Sequence, residues 1–209
     1  MSGSSRRFFL QGSSVALGTA AARLNAVAPS ERVRVGIVGA GGRALSLIRT
    51  FSANQSVEVV GIADLDSNRL PRGLSEAEQN QGQRPRGESD FRRLIDDDSI
   101  DAIVVGTPDH WHAIPTILAC QAGKDVYVEK PDSHNIEEGR RMVAAMRRHQ
   151  RIVQMGSQHR STERMKSALR YVASGELGRC LVAKAWESTK QGNIGRPADS
   201  SPPAGVDYN

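Results

Sequence analysis

Hydrophobic positions along this chain switch repeatedly between a strand-like and a helix-like rhythm, and the order of the switches predicts an architecture. Val33–Val38 is a short β-branched run that leads straight into Gly39-Ala40-Gly41-Gly42-Arg43-Ala44. After it, Ala44, Leu45, Leu47, Ile48 and Phe51 form an apolar helical stripe. Val57–Ala63 predicts a second strand ending at Asp64, and residues 66–79 a helix interrupted by Pro71. Residues 80–89 read as a Gly/Gln/Arg loop, 91–95 as a short helix and 100–107 as a strand. Within that strand Ile103, Val104 and Val105 are consecutively apolar, as in a parallel strand covered on both faces. A helix over 113–122 stops at Gly123, and Val126-Tyr127-Val128 forms another strand. Asn135-Ile136-Glu137-Glu138 has the form of a capping box, opening a helix with Ile136, Val143 and Met146 on one face. Residues 151–155 form the last strand of the sheet. The expected fold is α/β, a doubly wound parallel sheet over residues 32–156, with ligands at the carboxyl ends of its strands.

Beyond it, residues 161–175 predict a helix carrying Met165, Ala168, Leu169 and Val172 on one side, and residues 181–186 a strand. The chain then passes Gly192, Gly195, Pro197, Pro202 and Pro203 to end at Asn209. A lone helix and strand cannot cover both faces of a sheet, so residues 157–209 read as the incomplete beginning of a second α/β domain.

A length of 209 residues, 38% of them hydrophobic and 24% charged, is enough for one such domain and part of another. Aromatic residues make up only 4%, which argues against base-stacking nucleic-acid modules. The formal charge of +5 is unevenly placed, because Arg6, Arg7 and Arg23 lie in a 28-residue start without a carboxylate. The remainder mixes both signs, as a solvated surface does, so no nucleic-acid partner is expected. Cys120 and Cys180 are too few for a disulfide framework or a zinc site. No uncharged apolar run is long enough for a stable membrane span.

Ser5-Arg6-Arg7-Phe8-Phe9-Leu10, with a small-residue stretch over 13–22 after it, resembles the twin-arginine export signal. Residues 1–28 are read as that signal, giving a periplasmic or secreted location. Ala26-Val27-Ala28 has a small-x-small form, although Pro29 would hinder a peptidase there. That route carries folded proteins, which suits an enzyme holding a coenzyme made in the cytoplasm.

Strand, glycine turn and helix in that order are what a dinucleotide fingerprint requires. Gly39 allows the sharp turn, Gly41 removes a Cβ where a pyrophosphate approaches, and Ala44 is the third small position. Gly39, Ala40, Gly41 and Gly42 are therefore candidate coenzyme contacts, placed before a helix N-terminus that favours phosphate. Asp64 follows Gly41 at the spacing of a ribose-binding acid and favours NAD over NADP, with Arg69 near enough to complicate that preference.

Three strand ends carry unusual polar groups: Thr107-Pro108-Asp109-His110-Trp111-His112, Glu129-Lys130-Pro131 and Gly156-Ser157-Gln158-His159-Arg160. Burial and nearby positive charge would favour a neutral Lys130 amine, able to exchange a proton with a substrate hydroxyl as hydride leaves the same carbon. Lys130 can also be read as a surface lysine paired with Glu129. Pro131 restricts Lys130 to extended geometry. His110 and His112 have an H-x-H spacing, but no third ligand is evident and no metal is expected. Trp111 reads as packing or as a substrate platform, and Gln158, His159 and Arg160 as a solvated turn or part of the site.

Taken together, Gly39-Ala40-Gly41, Asp64, the segment 107–112 and Glu129-Lys130-Pro131 resemble the Gfo/Idh/MocA oxidoreductases, which include glucose–fructose oxidoreductase and inositol dehydrogenase. Asp109-His110-Trp111-His112 with Ser133-His134-Asn135 further resembles a twin-arginine-exported bacterial subgroup. The resemblance implies NAD or NADP as coenzyme, with Thr107, Pro108, His112, Glu129 and Lys130 bordering its nicotinamide side. It also implies Lys130 as the catalytic residue and a sugar or polyol derivative as substrate, reacting at a secondary carbinol. In such proteins a second domain forms the substrate wall and the oligomer contact, so a homo-oligomer is expected of the longer protein. The family's downstream His or Asp partner of the lysine has no counterpart in this sequence, which leaves a truncated enzyme or a dinucleotide-binding fragment without turnover. An NAD-dependent glycoside hydrolase of the same superfamily is the alternative activity.

Overall fold

The computed structural model describes residues 31–186, 195–196 and 198–206. Residues 1–28, read as an export signal, lie outside the described residues, as do Gly192 and Pro197. Six strands form one parallel sheet: β1 (Val33–Val38), β2 (Val57–Ala63), β3 (Arg86–Glu88), β4 (Ala102–Val105), β5 (Asp125–Glu129) and β6 (Val153–Gly156). Their spatial order is β3-β2-β1-β4-β5-β6, so the chain reverses direction across the sheet between β1 and β4.

Helices cover both faces, and the strands divide their side chains accordingly. Val35, Ile37, Val59, Ile62 and Val104 pack under α1 (Gly42–Ser52) and α2 (Leu70–Gln81). Val38, Ile103, Val105, Val126 and Val128 face the other layer, α3 (Arg92–Ile95), α4 (Ala113–Gln121) and α5 (Ile136–His149). Each such side chain taken from water contributes about 1.5–3 kcal/mol, so these two layers carry the domain. The pairing of β1 with β2 skips Val60, a bulge that brings Val59 and Ile62 to one face although they are three apart.

Several expectations are corrected. Pro71 does not interrupt α2 but lies in its first turn, where a missing N–H costs nothing, so the helix starts at Leu70 and not at residue 66. The loop expected over 80–89 contains β3, which pairs with Gly61, Ile62 and Ala63 and is too short and polar to be read locally. On α5, Asn135 caps the Glu138 amide and Met146 packs against the core as expected, but the buried residues are Met142 and Ala145, and Val143 is exposed. Ile136, the first residue of the helix, is 78% exposed. The helix α6 (Glu163–Ser174) forms with all its side chains exposed, and residues 181–186 form no strand, having no neighbouring ladder to join. Among the described residues no helix is long and apolar enough to cross a membrane.

The approach to β4 is held by polar contacts. Buried Lys124 donates from Nζ to the carbonyls of Asp97 and Ile100, at 2.7 and 2.8 Å. The Asp97 carboxyl is pulled down from 3.8 to about 2, chiefly by the Ser99 hydroxyl and amide and then by the Arg86 guanidinium. A carboxylate with a depressed folded value stabilises the fold fully above its unfolded value and loses that contribution as pH falls through the folded one. Partial exposure reduces it to about 1 kcal/mol. The melting-temperature gap between the parent and Asp97→Asn is therefore expected to be constant above about pH 4 and to close towards about pH 2. A gap that persists unchanged at the lower end would remove this account.

Candidate functional site

The turn after β1 lies at the point where the sheet's strand order reverses, the usual ligand crevice of such sheets. Gly39 has φ +101°, and a Cβ there would lie 3.2 Å from the carbonyl carbon and oxygen of Gly106. The turns following β1 and β4 are thus in direct backbone contact. Gly106 is as constrained: its Cβ would meet that of fully buried Ala44 at 2.9 Å, so α1 lies flush on the end of β4. Gly41 precedes α1 in extended conformation with no side chain capping the helix, which leaves the first amides of α1 available to an anion.

Asp64 does more than its spacing suggests. One carboxylate oxygen accepts the Ala40 amide at 2.6 Å and the other accepts the Asp66 amide at 2.8 Å. An ionised carboxylate has about four acceptor positions, so two stay available for ribose hydroxyls. The candidate ribose acid, Asp64, is thus also the tether of the glycine turn. Beside it opens a cleft of about 480 Å³ lined by Ala40, Gly41, Gly42, Leu45, Asn68, Arg69 and Arg72. Arg69 lies across the turn, 3.2 Å from where a Gly41 Cβ would be, and pairs with Asp66 at 3.0 Å. For Asp64→Ala, loss of these charge-assisted bonds is expected to weaken NADH binding about tenfold, measured by calorimetry.

Thr107 and Pro108 follow β4, and a 3₁₀ turn over Asp109–Trp111 comes next. His112 is 1% exposed, with Nε2 2.8 Å from the Thr107 carbonyl and Nδ1 2.6 Å from that of Pro131. Carbonyls only accept, so a neutral ring donates to one of them and a doubly protonated ring to both. The ring is a pin between two loops, placed inside the fold and not on the cleft wall. His110 and His134 instead flank Asp109, 3.6 and 3.4 Å from its carboxylate, so the H-x-H pair is split between surface and interior. The His134 ring, foremost, holds the Asp109 carboxyl below its ordinary value. Trp111 is half exposed and packs edge-on against Phe91, with ring centroids 6.3 Å apart.

Glu129 and Lys130 end β5 with opposite fates. Glu129 is 2% exposed, and its Oε1 accepts from Arg43 Nε at 2.8 Å and lies 2.7 Å from Arg43 Nη2. Its Oε2 accepts the Lys130 backbone amide at 3.1 Å. Tyr127, two residues earlier, faces the same way, and burial followed by the Glu129 charge pushes its phenol up. The partner of Glu129 is therefore Arg43 and not the Lys130 side chain. Lys130 is exposed, so the expected burial of its amine is not met, and among the described residues its Nζ has no hydrogen bond or ion pair. The Lys130–Pro131 peptide is cis.

At the end of β6, Gly156 leaves room for its neighbours, since a Cβ there would lie 2.9 Å from Glu129 Oε1. Gln158–Ser161 is an exposed 3₁₀ turn. The sequence pattern assigned no role to Arg43, Gly106 or Gly156. Only Arg43 offered a signal: a cation in the first turn of a helix opposes the helix dipole and needs an anionic partner.

The family model described as "Oxidoreductase family, NAD-binding Rossmann fold" matches residues 33–157. Among curated relatives, a glycosyl hydrolase family 109 protein of Saccharopolyspora erythraea is 31% identical over 156 residues, 72% of this chain and 34% of its own length. Glycosyl hydrolase family 109 protein 2 of Shewanella sp. (strain ANA-3) is 32% identical over 165 residues, 66% of this chain and 36% of its own. The chain spans about a third of the length of these relatives. Among solved structures, the WlbA dehydrogenase of Bordetella pertussis, in complex with NADH and UDP-GlcNAcA, superposes with a TM-score of 0.61 at 28% identity, over 71% of this chain and 44% of that one. Myo-inositol 2-dehydrogenase of Lactobacillus plantarum gives 0.62 at 28% identity, over 71% and 43%. Scyllo-inositol dehydrogenase of Lactobacillus casei, with bound NAD(H) and scyllo-inositol, gives 0.60 at 25% identity, over 70% and 42%.

Proposed function

The chain belongs to the Gfo/Idh/MocA oxidoreductase family, and from that premise we propose that it is the coenzyme-binding part of an NAD(P)-dependent dehydrogenase acting on a secondary alcohol of a sugar or polyol derivative. One observation carries the reading. An uncapped glycine turn suited to a diphosphate and a lysine whose amine has no hydrogen bond or ion pair among the described residues lie on the same carboxyl edge of the sheet.

The residues fit a nicotinamide dinucleotide. Gly39 and Gly41 leave the space that a Cβ would fill, the first amides of α1 are free for phosphate oxygens, and Asp64 keeps acceptor positions for ribose. When bound, the nicotinamide supplies hydride transfer at the carbinol carbon. Lys130 holds the proton of the reacting hydroxyl at Nζ, taking it during oxidation and returning it during reduction. Asp64 favours NAD, since its carboxylate repels a 2′-phosphate. Substrate choice follows from the dehydrogenases superposed above, which carry UDP-GlcNAcA or scyllo-inositol.

The test is calorimetric titration with NADH and NADPH, followed by assay of the full-length protein on a panel of polyols and nucleotide sugars. Micromolar NADH binding and substrate-dependent NADH formation are expected. Binding without turnover would leave a coenzyme-binding module, and no binding would remove the proposal.

The names of the curated relatives favour a second reading, an NAD-dependent glycoside hydrolase. Release of the aryl group from aryl glycosides without net NADH would establish it in place of the first. Export through the twin-arginine route is proposed on Ser5 to Leu10, with Arg6→Lys/Arg7→Lys expected to hold the protein in the cytoplasm in fractionation.

A further inference from the structure

We propose that Arg43 is a positioning residue: through the buried carboxylate of Glu129 it fixes where Lys130 stands relative to the turn that opens α1. The proposal rests on the oxidoreductase reading only in assigning Lys130 its chemistry.

Arg43 occupies the first turn of α1, where no acidic residue accompanies it and where the helix dipole disfavours a cation. Its guanidinium reaches Glu129 on β5, although β4 lies between β1 and β5. Nε and Nη2 both approach Glu129 Oε1, which leaves Oε2 for the Lys130 amide. One carboxylate therefore joins the helix that would receive the diphosphate to the main chain of the lysine 87 residues further on.

The carboxylate has little freedom to move. Glu129 is almost fully buried, whereas the Arg43 side chain is 37% exposed, so the strand holds the anion and the helix brings the cation to it. A second contact lies further along the same helix, where Phe51 packs edge-on against Tyr127 at 5.6 Å. With α1 docked on β5 at both Arg43 and Phe51, tilting or sliding of the helix is resisted. Among the described residues the amine of Lys130 has no side-chain partner of its own, so its location is decided by its backbone, and its backbone is held by Glu129. A buried ion pair is weak evidence for stability, but it is a sound device for fixing one geometry among several.

The test uses the 209-residue chain with its lysines reductively ¹³C-dimethylated, the Lys130 resonance being assigned through Lys130→Arg. Arg43→Met alone strands a buried carboxylate and can unfold the domain, so the informative variant is Arg43→Met/Glu129→Gln, which removes both charges. In that variant NADH affinity is expected to fall about tenfold, and the Lys130 resonance to lose its response to NADH. Arg43→Lys is expected to restore affinity to within about threefold, because both guanidinium contacts converge on one oxygen that a single ammonium can reach.

A folded double variant that binds NADH like the parent and keeps the Lys130 response would overturn the proposal. If the parent itself binds no NADH, the oxidoreductase reading fails. The positioning claim is then decided without coenzyme, by whether the Lys130 titration curve moves in the double variant (support) or stays in place (refutation).

Discussion

Exchange of Lys130 for methionine is expected to slow hydride transfer to a polyol by about 10²–10⁴-fold while NADH affinity stays within about twofold. The asymmetry follows from the environment of the residue. Its side chain is exposed and has no hydrogen bond or ion pair among the described residues, so removing the amine disturbs no contact. The loop stays in place because Glu129 holds the backbone amide at position 130, which methionine retains, and His112 holds the Pro131 carbonyl. What disappears is the proposed proton carrier. Stopped-flow measurement of NADH formation, beside calorimetry on the same protein, separates the two effects. A variant that turns over at the parental rate would take Lys130 out of the reaction, and equal losses in both readouts would make it a binding residue.

Gly39→Ala is expected to weaken NADH binding by more than about 100-fold and to lower stability by about 2–3 kcal/mol. Two penalties combine at this position. The backbone has φ +101°, which an L-residue with a Cβ adopts only under strain, and the new methyl would be 3.2 Å from main-chain atoms of Gly106. Main chain cannot rotate aside as a side-chain tip can, so the turn after β1 must part from the turn after β4. That movement carries Ala40 away from Asp64, whose 2.6 Å bond holds the turn in shape, and the amides of α1 no longer converge on one anion. The outcome is checked by NADH titration and by thermal melting together. Parental affinity in Gly39→Ala would mean that the phosphates bind elsewhere.

The sheet was legible in the sequence wherever burial on both faces writes a continuous apolar run. Val33–Val38 and Val57–Ala63 begin and end where expected, and Ile103, Val104 and Val105 face alternate layers. Legibility failed where an element owes its existence to a neighbour. Arg86–Glu88 is a strand only because β2 offers it a ladder, and residues 181–186 have a strand-like pattern but no ladder to join. Pro71 reads as an interruption until the helix start is known, since the same residue is tolerated in a first turn and not in a middle one.

The candidate site divides in the same way. The glycine turn, Asp64 and Lys130 are chemistry carried by local order along the chain: a strand must end, a turn must be tight and a helix must begin before a phosphate can be held. Those requirements act within a few residues, so the sequence by itself determined them. The partners were a different matter. That Glu129 faces Arg43 and not Lys130, that His112 pins two loops from inside, and that Gly106 must be bare for Ala44 to lie on it are relations between residues far apart in the chain. Sequence lists the donors and acceptors without saying which of them meet. Only the reach of Arg43 from α1 to β5 and the contact between two turns decided that, because a buried polar group takes whichever partner the packing of the strands and helices brings within about 3 Å.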